Sequence, residues 1–417
     1  MGSVLNNLPL KKPSIERECM KTIKRAQPVT TQVVDGQSVT DGNVVAVAAG
    51  VDFTNTTVTD RGSLRVAAGG TATGTTVDGG FLEVAAGGNS VGAVLKDESE
   101  EEIFGTATGT SDQGGDLNVF AGGILQNSEI DASGGDVNDG YVLAGGKAIK
   151  TTLTGDGAVL NLELSSNAVG TMINNGGKEF VGTKAVSDGA VVGSGGTEYQ
   201  LFADSTDTNL TVKSGGNAVI VGALDGATID QGGLVTASDG TAVTGSITDN
   251  GNLTFHLNGT EHFTGNLTGT GVLDVQGGGA LVVDKALNFN GTAKIEAGST
   301  LELAGASSTN VSFGNFESLL KLDDSQGFTG TVAGTAGSLD TIDLADVAFV
   351  KGMTTVSFTE NAQHTGGVLT VSDQAMGGPV VNLNLLGNYN AAAFTIAADS
   401  VVSSQNQHPG TAIHGPF

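Results

Sequence analysis

Three aspartates near the C-terminus have the residue type and spacing of a metal site built from oxygen ligands. The segment GSLDTIDLAD places Asp340, Asp343 and Asp346 at steps of three residues. Calcium prefers carboxylate oxygens, although aspartates between strands also cap turns. The calcium-binding nonapeptide G-G-x-G-x-D does not occur. These three aspartates are therefore the candidate calcium ligands, and the sequence predicts no cofactor other than calcium.

Carboxylates on strands also raise the question of catalysis on polysaccharides. A glycosidase needs two carboxyl groups about 5 to 9.5 Å apart, and Glu163, Asp225 and Asp230 are the candidates. The chain has no Trp and only 3 Tyr, so it offers few aromatic rings for stacking on sugars. Its 5 His are scattered, and no HExxH, GxSxG or P-loop motif occurs. The sequence favours a protein that is not an enzyme, with a polysaccharide lyase or glycosidase as the alternative.

An acidic run, KDESEEEIFG, occupies residues 96–105 and carries five carboxylates between Asp97 and Glu102. A run of like charges is typical of a solvated surface. It also breaks the spacing of the glycine pairs on either side. The sequence therefore predicts a loop that projects from the fold, with a calcium-binding or partner-binding loop as the alternative.

Short repeats must position all of these residues. The motif VAAGG occurs at residues 66–70 and again at 84–88, and a second glycine pair lies between the two copies. Each unit is interpreted as strand, turn, strand, turn. A unit of this length cannot bury a core alone and must stack on its neighbours. The sequence therefore predicts an all-β protein, a right-handed parallel β-helix (β-solenoid) with coils of about 17 to 20 residues and a C-terminal β module.

Stacking assigns a role to each residue of the motif. Successive coils lie about 4.8 Å apart, so identical positions form columns, and Val66 is predicted to stack on Val84. Alanine keeps the corner narrow, and glycine allows the positive φ that a sharp corner needs. The predicted structural turn residues are Gly69, Gly70, Gly79, Gly80, Gly87 and Gly88.

Composition along the chain divides it into three parts. Residues 1–28 form a basic segment, because residues 1–25 hold six basic and two acidic residues. Residues 29–313 carry the glycine-rich solenoid pattern. From about Phe316 the residues become larger and the coil period is lost, so residues 314–417 are predicted to form a separate C-terminal β module.

Charge and hydropathy exclude several functions. The net charge is −26, from 18 basic and 44 acidic residues, which disfavours nucleic acid and anionic membranes as partners. A single cysteine permits no intramolecular disulfide. No apolar run reaches the roughly 18 residues of a membrane helix, and the N-terminus lacks the apolar region of a cleavable signal peptide.

The VAAGG repeat resembles the passenger repeats of AIDA-type autotransporter adhesins and of the self-associating antigen 43 group. These are written as strand, A/S-G-G, T-x-V, x-G-G, and residues 43 to about 240 carry the pattern. The segment from GFTGTVAG to GTAI is similar to a module that closes many secreted repeat proteins of alphaproteobacterial type. The first resemblance implies a surface-exposed solenoid, in some members with sugars on Ser or Thr. The second implies secretion directed from the C-terminus.

These patterns together lead to one functional expectation. The chain is expected to be a secreted or cell-surface solenoid with a structural or adhesive role in cell adhesion, aggregation or biofilm matrix. The expected partners are further copies of the chain, joined end to end into filaments, or a cell-surface or glycan receptor. An exposed strand edge at a coil end is a template for such pairing.

Overall fold

The computed structural model describes residues 31–96, 98–135, 137–314, 316–334, 339–373, 380–390, 393–399 and 409–415. These residues form a parallel β-solenoid of about 16 turns that ends in a mixed sheet, which confirms the predicted fold class. The predicted basic segment, residues 1–28, lies outside the described residues.

The first nine coils contain three short strands each. Their bounds are β1 (Gln32–Asp35), β2 (Ser38–Val39), β3 (Val44–Val47), β4 (Val51–Thr54), β5 (Thr57–Thr59), β6 (Ser63–Val66), β7 (Thr71–Thr73), β8 (Thr76–Asp78), β9 (Phe81–Val84), β10 (Asn89–Val91), β11 (Val94–Leu95), β12 (Glu100–Ile103), β13 (Thr106–Thr108), β14 (Ser111–Asp112), β15 (Asp116–Val119), β16 (Ile124–Gln126), β17 (Glu129–Asp131), β18 (Asn138–Val142), β19 (Lys147–Ile149), β20 (Thr152–Thr154), β21 (Ala158–Leu162), β22 (Asn167–Val169), β23 (Met172–Asn174), β24 (Lys178–Val181), β25 (Val186–Asp188), β26 (Val191–Val192) and β27 (Thr197–Gln200).

In the next three coils the first two strands merge into one longer strand, and later coils vary in their strand number. The bounds are β28 (Thr206–Val212), β29 (Asn217–Ile220), β30 (Ala223–Ile229), β31 (Leu234–Ser238), β32 (Ala242–Asp249), β33 (Asn252–His256), β34 (Thr260–Phe263), β35 (Asn266–Thr268), β36 (Val272–Gln276), β37 (Ala280–Val283), β38 (Thr292–Ile295), β39 (Thr300–Leu303), β40 (Asn310–Phe313), β41 (Leu319–Leu322), β42 (Thr331–Ala333), β43 (Thr341–Leu344), β44 (Thr354–Glu360), β45 (Gly366–Asp373), β46 (Val380–Leu386), β47 (Thr395–Ala398) and β48 (Thr411–His414).

The predicted coil of two strands is wrong for these first nine coils. In the segment TATGTTVD, the chain forms both β7 and β8, which meet at Gly74 with φ +65°. This bend, the first corner of the coil, was missed because it uses one left-handed residue instead of a glycine pair. The same corner in other coils is formed by Gly36, Asn55, Gly92, Gly109, Asn127, Lys150, Gly170, Gly189, Asn209, Gly226 and Gly245, all with positive φ.

Backbone hydrogen bonds continue through this first corner. Asn55 N donates to Thr73 O of the next coil at 2.9 Å, and Gly74 N donates to Val91 O at 2.8 Å. The next residue, such as Thr56 or Thr75, is fully buried. Because the backbone N–H and C=O groups at the corner keep hydrogen-bond partners, the ladder of backbone hydrogen bonds continues from one sheet into the next.

The core consists of columns of identical or similar side chains. Val66 pairs with Val84 in the next coil, as predicted, and with Val47 in the preceding coil. All three valines have 0% exposure. Full burial of a valine contributes about 1.5 to 3 kcal/mol, so a column of this kind supplies much of the stability.

The two glycines of each pair have different structural roles. Gly69 and Gly87, the first of each VAAGG pair, adopt φ of +76° and +80°. The second glycines have no such φ but lie against the coil below. A Cβ at Gly70 would be 2.6 Å from Val47 O, and a Cβ at Gly88 would be 2.5 Å from Val66 O. One glycine turns the chain and the other permits close stacking.

The acidic run is a strand and not the predicted projecting loop. Residues 100–103 form β12, which pairs in parallel with β9 and β15. Glu101 occupies a column between Leu82 and Leu117 and has 0% exposure. Alternation explains the error, because every second residue of a strand points inward whatever the local charge. Asp97 lies outside the described residues.

Parallel pairing continues across the predicted 313/314 boundary. β39, β41 and β43 pair in parallel, and β40 pairs with β42. Antiparallel pairing begins later, where β44, β45 and β46 form a meander whose last strand joins β42. β43 pairs with the antiparallel strand β48, which pairs with β47. The C-terminal strands therefore extend two faces of the solenoid.

The two glycine roles predict different costs for the same substitution. We expect Gly88→Ala to lower the unfolding free energy by about 3 kcal/mol, because its Cβ would overlap a backbone carbonyl. Gly79→Ala introduces a Cβ that meets nothing within 4 Å. Gly79 has φ +68°. This control should therefore lose only about 1 to 2 kcal/mol of unfolding free energy, which is the cost of a side chain in the left-handed region. Thermal unfolding followed by circular dichroism measures both, and equal losses would contradict the distinction.

Candidate functional site

The three predicted calcium ligands do not converge. Ser318 N donates to Asp340 Oδ1 at 2.9 Å, and Ser325 N donates to Asp346 Oδ2 at 3.0 Å. Asp343 lies between the inward residues Ile342 and Leu344, so its side chain is on the outer face of β43. The described residues contain no group of three or more His, Cys, Asp or Glu side chains arranged to hold a metal ion. Calcium binding stays a prediction, and the geometry shows two of the aspartates holding turns.

Asp343 belongs to a row of charges on the outer face of three successive coils. Glu302, Lys321 and Asp343 are direct neighbours in the register of β39, β41 and β43. Lys321 Nζ lies 2.8 Å from Glu302 Oε1. The row lines a groove of about 760 Å³ that also includes Asp399 and His414.

The pKa of Asp343 is raised to about 7 by its burial first and by the charge of Asp399 second. Its Oδ1 receives no hydrogen bond from the described residues. This carboxyl gains a proton more readily than a surface aspartate, so the groove becomes less acidic as the pH falls below neutrality. Sequence spacing found Asp343 but not the groove, which depends on strand β48, remote in sequence.

The three carboxylates considered for catalysis lie at separate places on the solenoid. Glu163 is exposed directly after β21, and Asp225 is exposed within β30, where Thr244 Oγ1 donates to its Oδ1 at 3.1 Å. Asp230 follows β30 and forms an ion pair with Lys213 at 3.1 Å. The structure does not bring these three carboxylates together. The polysaccharide-active enzyme stays an untested alternative.

An exposed apolar corner was missed by the sequence analysis. Leu164, Leu201 and Phe202 are 50 to 51% exposed and line a shallow groove of about 340 Å³ with Phe180. The ring of Phe180 stacks on that of Tyr199, with centroids 5.3 Å apart. An exposed apolar patch of this kind is typical of a contact surface. We call it the apolar corner.

The repeat itself contains the signal for the apolar corner. Leu164 and Phe202 each come two residues after the column that begins at Val66, so they take the place of Ala68 in the motif VAAGG. In the other seven of the first nine coils this corner position is Ala, Gly or Thr. A large apolar residue there is unexpected for stacking alone and therefore marks a surface feature.

Comparison with solved structures links the architecture to an adhesin. The chain matches the crystal structure of a TibC-catalysed, hyper-glycosylated TibA fragment, with a TM-score of 0.50 and 25% sequence identity. The match covers 68% of this chain and 100% of the fragment. The chain is similar to an autotransporter adhesin passenger. This supports the AIDA-type resemblance, while the antigen 43 likeness and the likeness of the C-terminal module stay predictions.

A scan against protein-family models and a search of curated proteins found no match. Among the described residues, no helix is long and apolar enough to cross a membrane.

The role of Asp340 as a turn acceptor predicts a loss of stability that does not depend on calcium. We expect Asp340→Ala to lower the unfolding free energy by about 1 to 3 kcal/mol, because the buried N–H of Ser318 loses its acceptor. The loss should be equal in calcium chloride and in a chelator, as measured by thermal unfolding. The exposed control Asp225→Ala should lose less. A stabilisation of the wild type by calcium that Asp340→Ala abolishes would contradict the turn role and favour a metal site.

Proposed function

We propose that this chain is a secreted or surface-exposed solenoid with a structural and adhesive role, which mediates cell adhesion, aggregation or biofilm matrix. The observation that supports it most is the match to the whole TibA fragment at 25% identity. The neighbour is an adhesin passenger, and the adhesive role is our inference for this chain.

The shape of the molecule suits display. About 16 turns at roughly 4.8 Å per turn give a rod on the order of 75 Å. Its net charge of −26 disfavours lateral stacking of rods. A rod of this kind holds contact residues at a distance from the surface to which it is attached.

The apolar corner is the contact surface that we assign to this role. Leu164, Leu201 and Phe202 expose about half of their surface side by side on an acidic rod. Burial of such side chains in a partner releases about 25 cal/mol per Å² of apolar area. Association through a few apolar side chains also avoids the repulsion between acidic faces.

Strand edges at the two ends offer a second mode of self-association. Among the described residues, β1 pairs only with β4, and β44 pairs only with β45. Val33 in β1 and Val44 in β3 are 61% and 70% exposed. A free strand edge is a template for another strand. We propose that further copies of the chain are the partners that use these edges, which would produce filaments.

The similarity to the TibA fragment suggests that sugars are attached to this chain as well. The TibA fragment is hyper-glycosylated. On this chain, outward threonine hydroxyls recur directly before the first corner of a coil, as at Thr54, Thr73 and Thr208. Each donates to an aspartate of the preceding coil, at 2.7 to 3.1 Å. We propose such rows as acceptors for sugars, which an increase in the intact mass of the protein from its native cells would test.

Adhesion predicts a specific loss when the apolar corner is charged. Beads coated with the wild-type chain should aggregate or bind cells, and Leu164→Glu/Phe202→Glu should reduce this about tenfold or more, because the apolar contact area is lost. Val91→Glu is the matched control, since Val91 is 41% exposed on another part of the surface. Circular dichroism should show all three proteins folded. Failure of wild-type beads to bind cells or each other would contradict the proposed function, whereas equal binding by the double variant would exclude only the corner.

A further inference from the structure

Three carboxyl groups lie together in the core of the solenoid. Glu179 is in β24, Glu198 in β27 and Asp207 in β28. Glu179 and Glu198 have 0% exposure, and Asp207 has 1%. The three belong to three successive coils. We call them the acid cluster.

Register brings the two glutamates directly on top of each other. Glu179 pairs with Glu198 in the next coil. The same column contains Leu160 before them and Ala218 after them. Adjacent strands are about 4.8 Å apart, so the two carboxyls cannot separate without a change in the stack.

Asp207 approaches the glutamates from another sheet. It pairs with Ser187 in the preceding coil and Leu224 in the next. Its side chain lies within hydrogen-bonding reach of Glu198. The acid cluster therefore bridges two faces of the coil across the core.

Among the residues that the structure describes, no Lys, Arg or His side chain acts on the acid cluster. The charged groups that act on it are its own three carboxyls, and the other polar side chains facing it, among them Thr171 and Gln200, are neutral. Thr171 Oγ1 donates to Glu179 Oε1 at 3.3 Å. A serine hydroxyl lies within reach of Glu198 and an amide within reach of Asp207, but no group of the described residues reaches the oxygens of these two carboxyls with full hydrogen-bond geometry. A contact between two such carboxyls is favourable only if they share a proton.

The pKa values of all three carboxyl groups are raised, as expected for buried carboxyls that lie close to each other. Burial raises the pKa of Glu198 from 4.5 to about 7. Burial first, and then the charge of Glu198, raises the pKa of Glu179 and of Asp207 well above their ordinary values. The folded chain therefore binds more protons than the unfolded chain. The stability from these groups is complete below about pH 4.5 and is lost as the pH rises through about 7.

We propose that the acid cluster is a proton-dependent opening point of the solenoid: coils eight to ten stay stacked while the carboxyls share protons, and they open locally when the carboxyls ionise. Opening is local because each coil of a solenoid contacts only its neighbours. Three ionised carboxylates buried in the core repel each other and are shielded from bulk solvent, and separation of the coils removes both costs.

Hydrogen exchange followed by mass spectrometry on the full chain tests the proposal. After correction for intrinsic exchange, the opening constant of residues 178–212 should rise at least about tenfold between about pH 5 and about pH 8, since each coupled carboxyl contributes up to tenfold per pH unit. Glu198→Gln should make this rise at least about threefold smaller, because the amide cannot ionise and Glu179 and Asp207 lose their charged neighbour. If this variant does not fold, Glu179→Gln provides the same test.

Glu101→Gln is the matched control, because Glu101 is a buried acid in the same column of a distant coil. It should leave the pH dependence of residues 178–212 unchanged. Equal protection of the wild type at both pH values would overturn the proposal, as would an undiminished pH dependence in Glu198→Gln. Restored protection at high pH by calcium chloride would also overturn it, because the acid cluster would then bind a cation and not protons.

Discussion

Every residue of the solenoid must fit the residue at the same position in the coils above and below it. The strands are about 4.8 Å apart, and the backbone ladder continues through the first corner by bonds such as Asn55 N to Thr73 O. The chain cannot absorb a poor fit by moving a strand sideways, because that would break hydrogen bonds with both neighbours. Valine columns and glycine corners are the simplest solution to this constraint.

Part of the fold follows directly from this constraint and was predictable from sequence. The motif VAAGG predicts one corner and one core column of the coil, and the valines at 66 and 84 stack as expected. The first corner was not predictable in the same way, because its left-handed residue is glycine in some coils, asparagine in others and lysine at Lys150. The shared property is a backbone angle, and several residue types satisfy it at modest cost.

The acidic residues show where the sequence misleads. A run such as ESEEEIF has the composition of a solvated loop, yet Glu101 replaces leucine in a core column. Thr110 Oγ1 donates to it at 2.9 Å, and burial raises its pKa to about 7. Local charge could not reveal this placement, because inward and outward residues alternate along a strand. The aspartates at 340, 343 and 346 were found by spacing, but the groove beside Asp343 depends on a strand contributed from about seventy residues away.

In such a fold, functional sites are expected at coils whose residues differ in type from those at the same position in the neighbouring coils. A coil that fits its neighbours has a surface much like theirs, and a surface that repeats offers no single place of distinct chemistry. Leu164 and Phe202 replace a small corner residue with an exposed apolar one, which adds contact area on the outside and contributes little to stacking. Glu179 and Glu198 replace apolar core residues with acids, which weakens the stack from the inside unless protons are shared. Both departures lie in coils seven to nine, so the local opening that we propose there would displace the corner that we assign to adhesion.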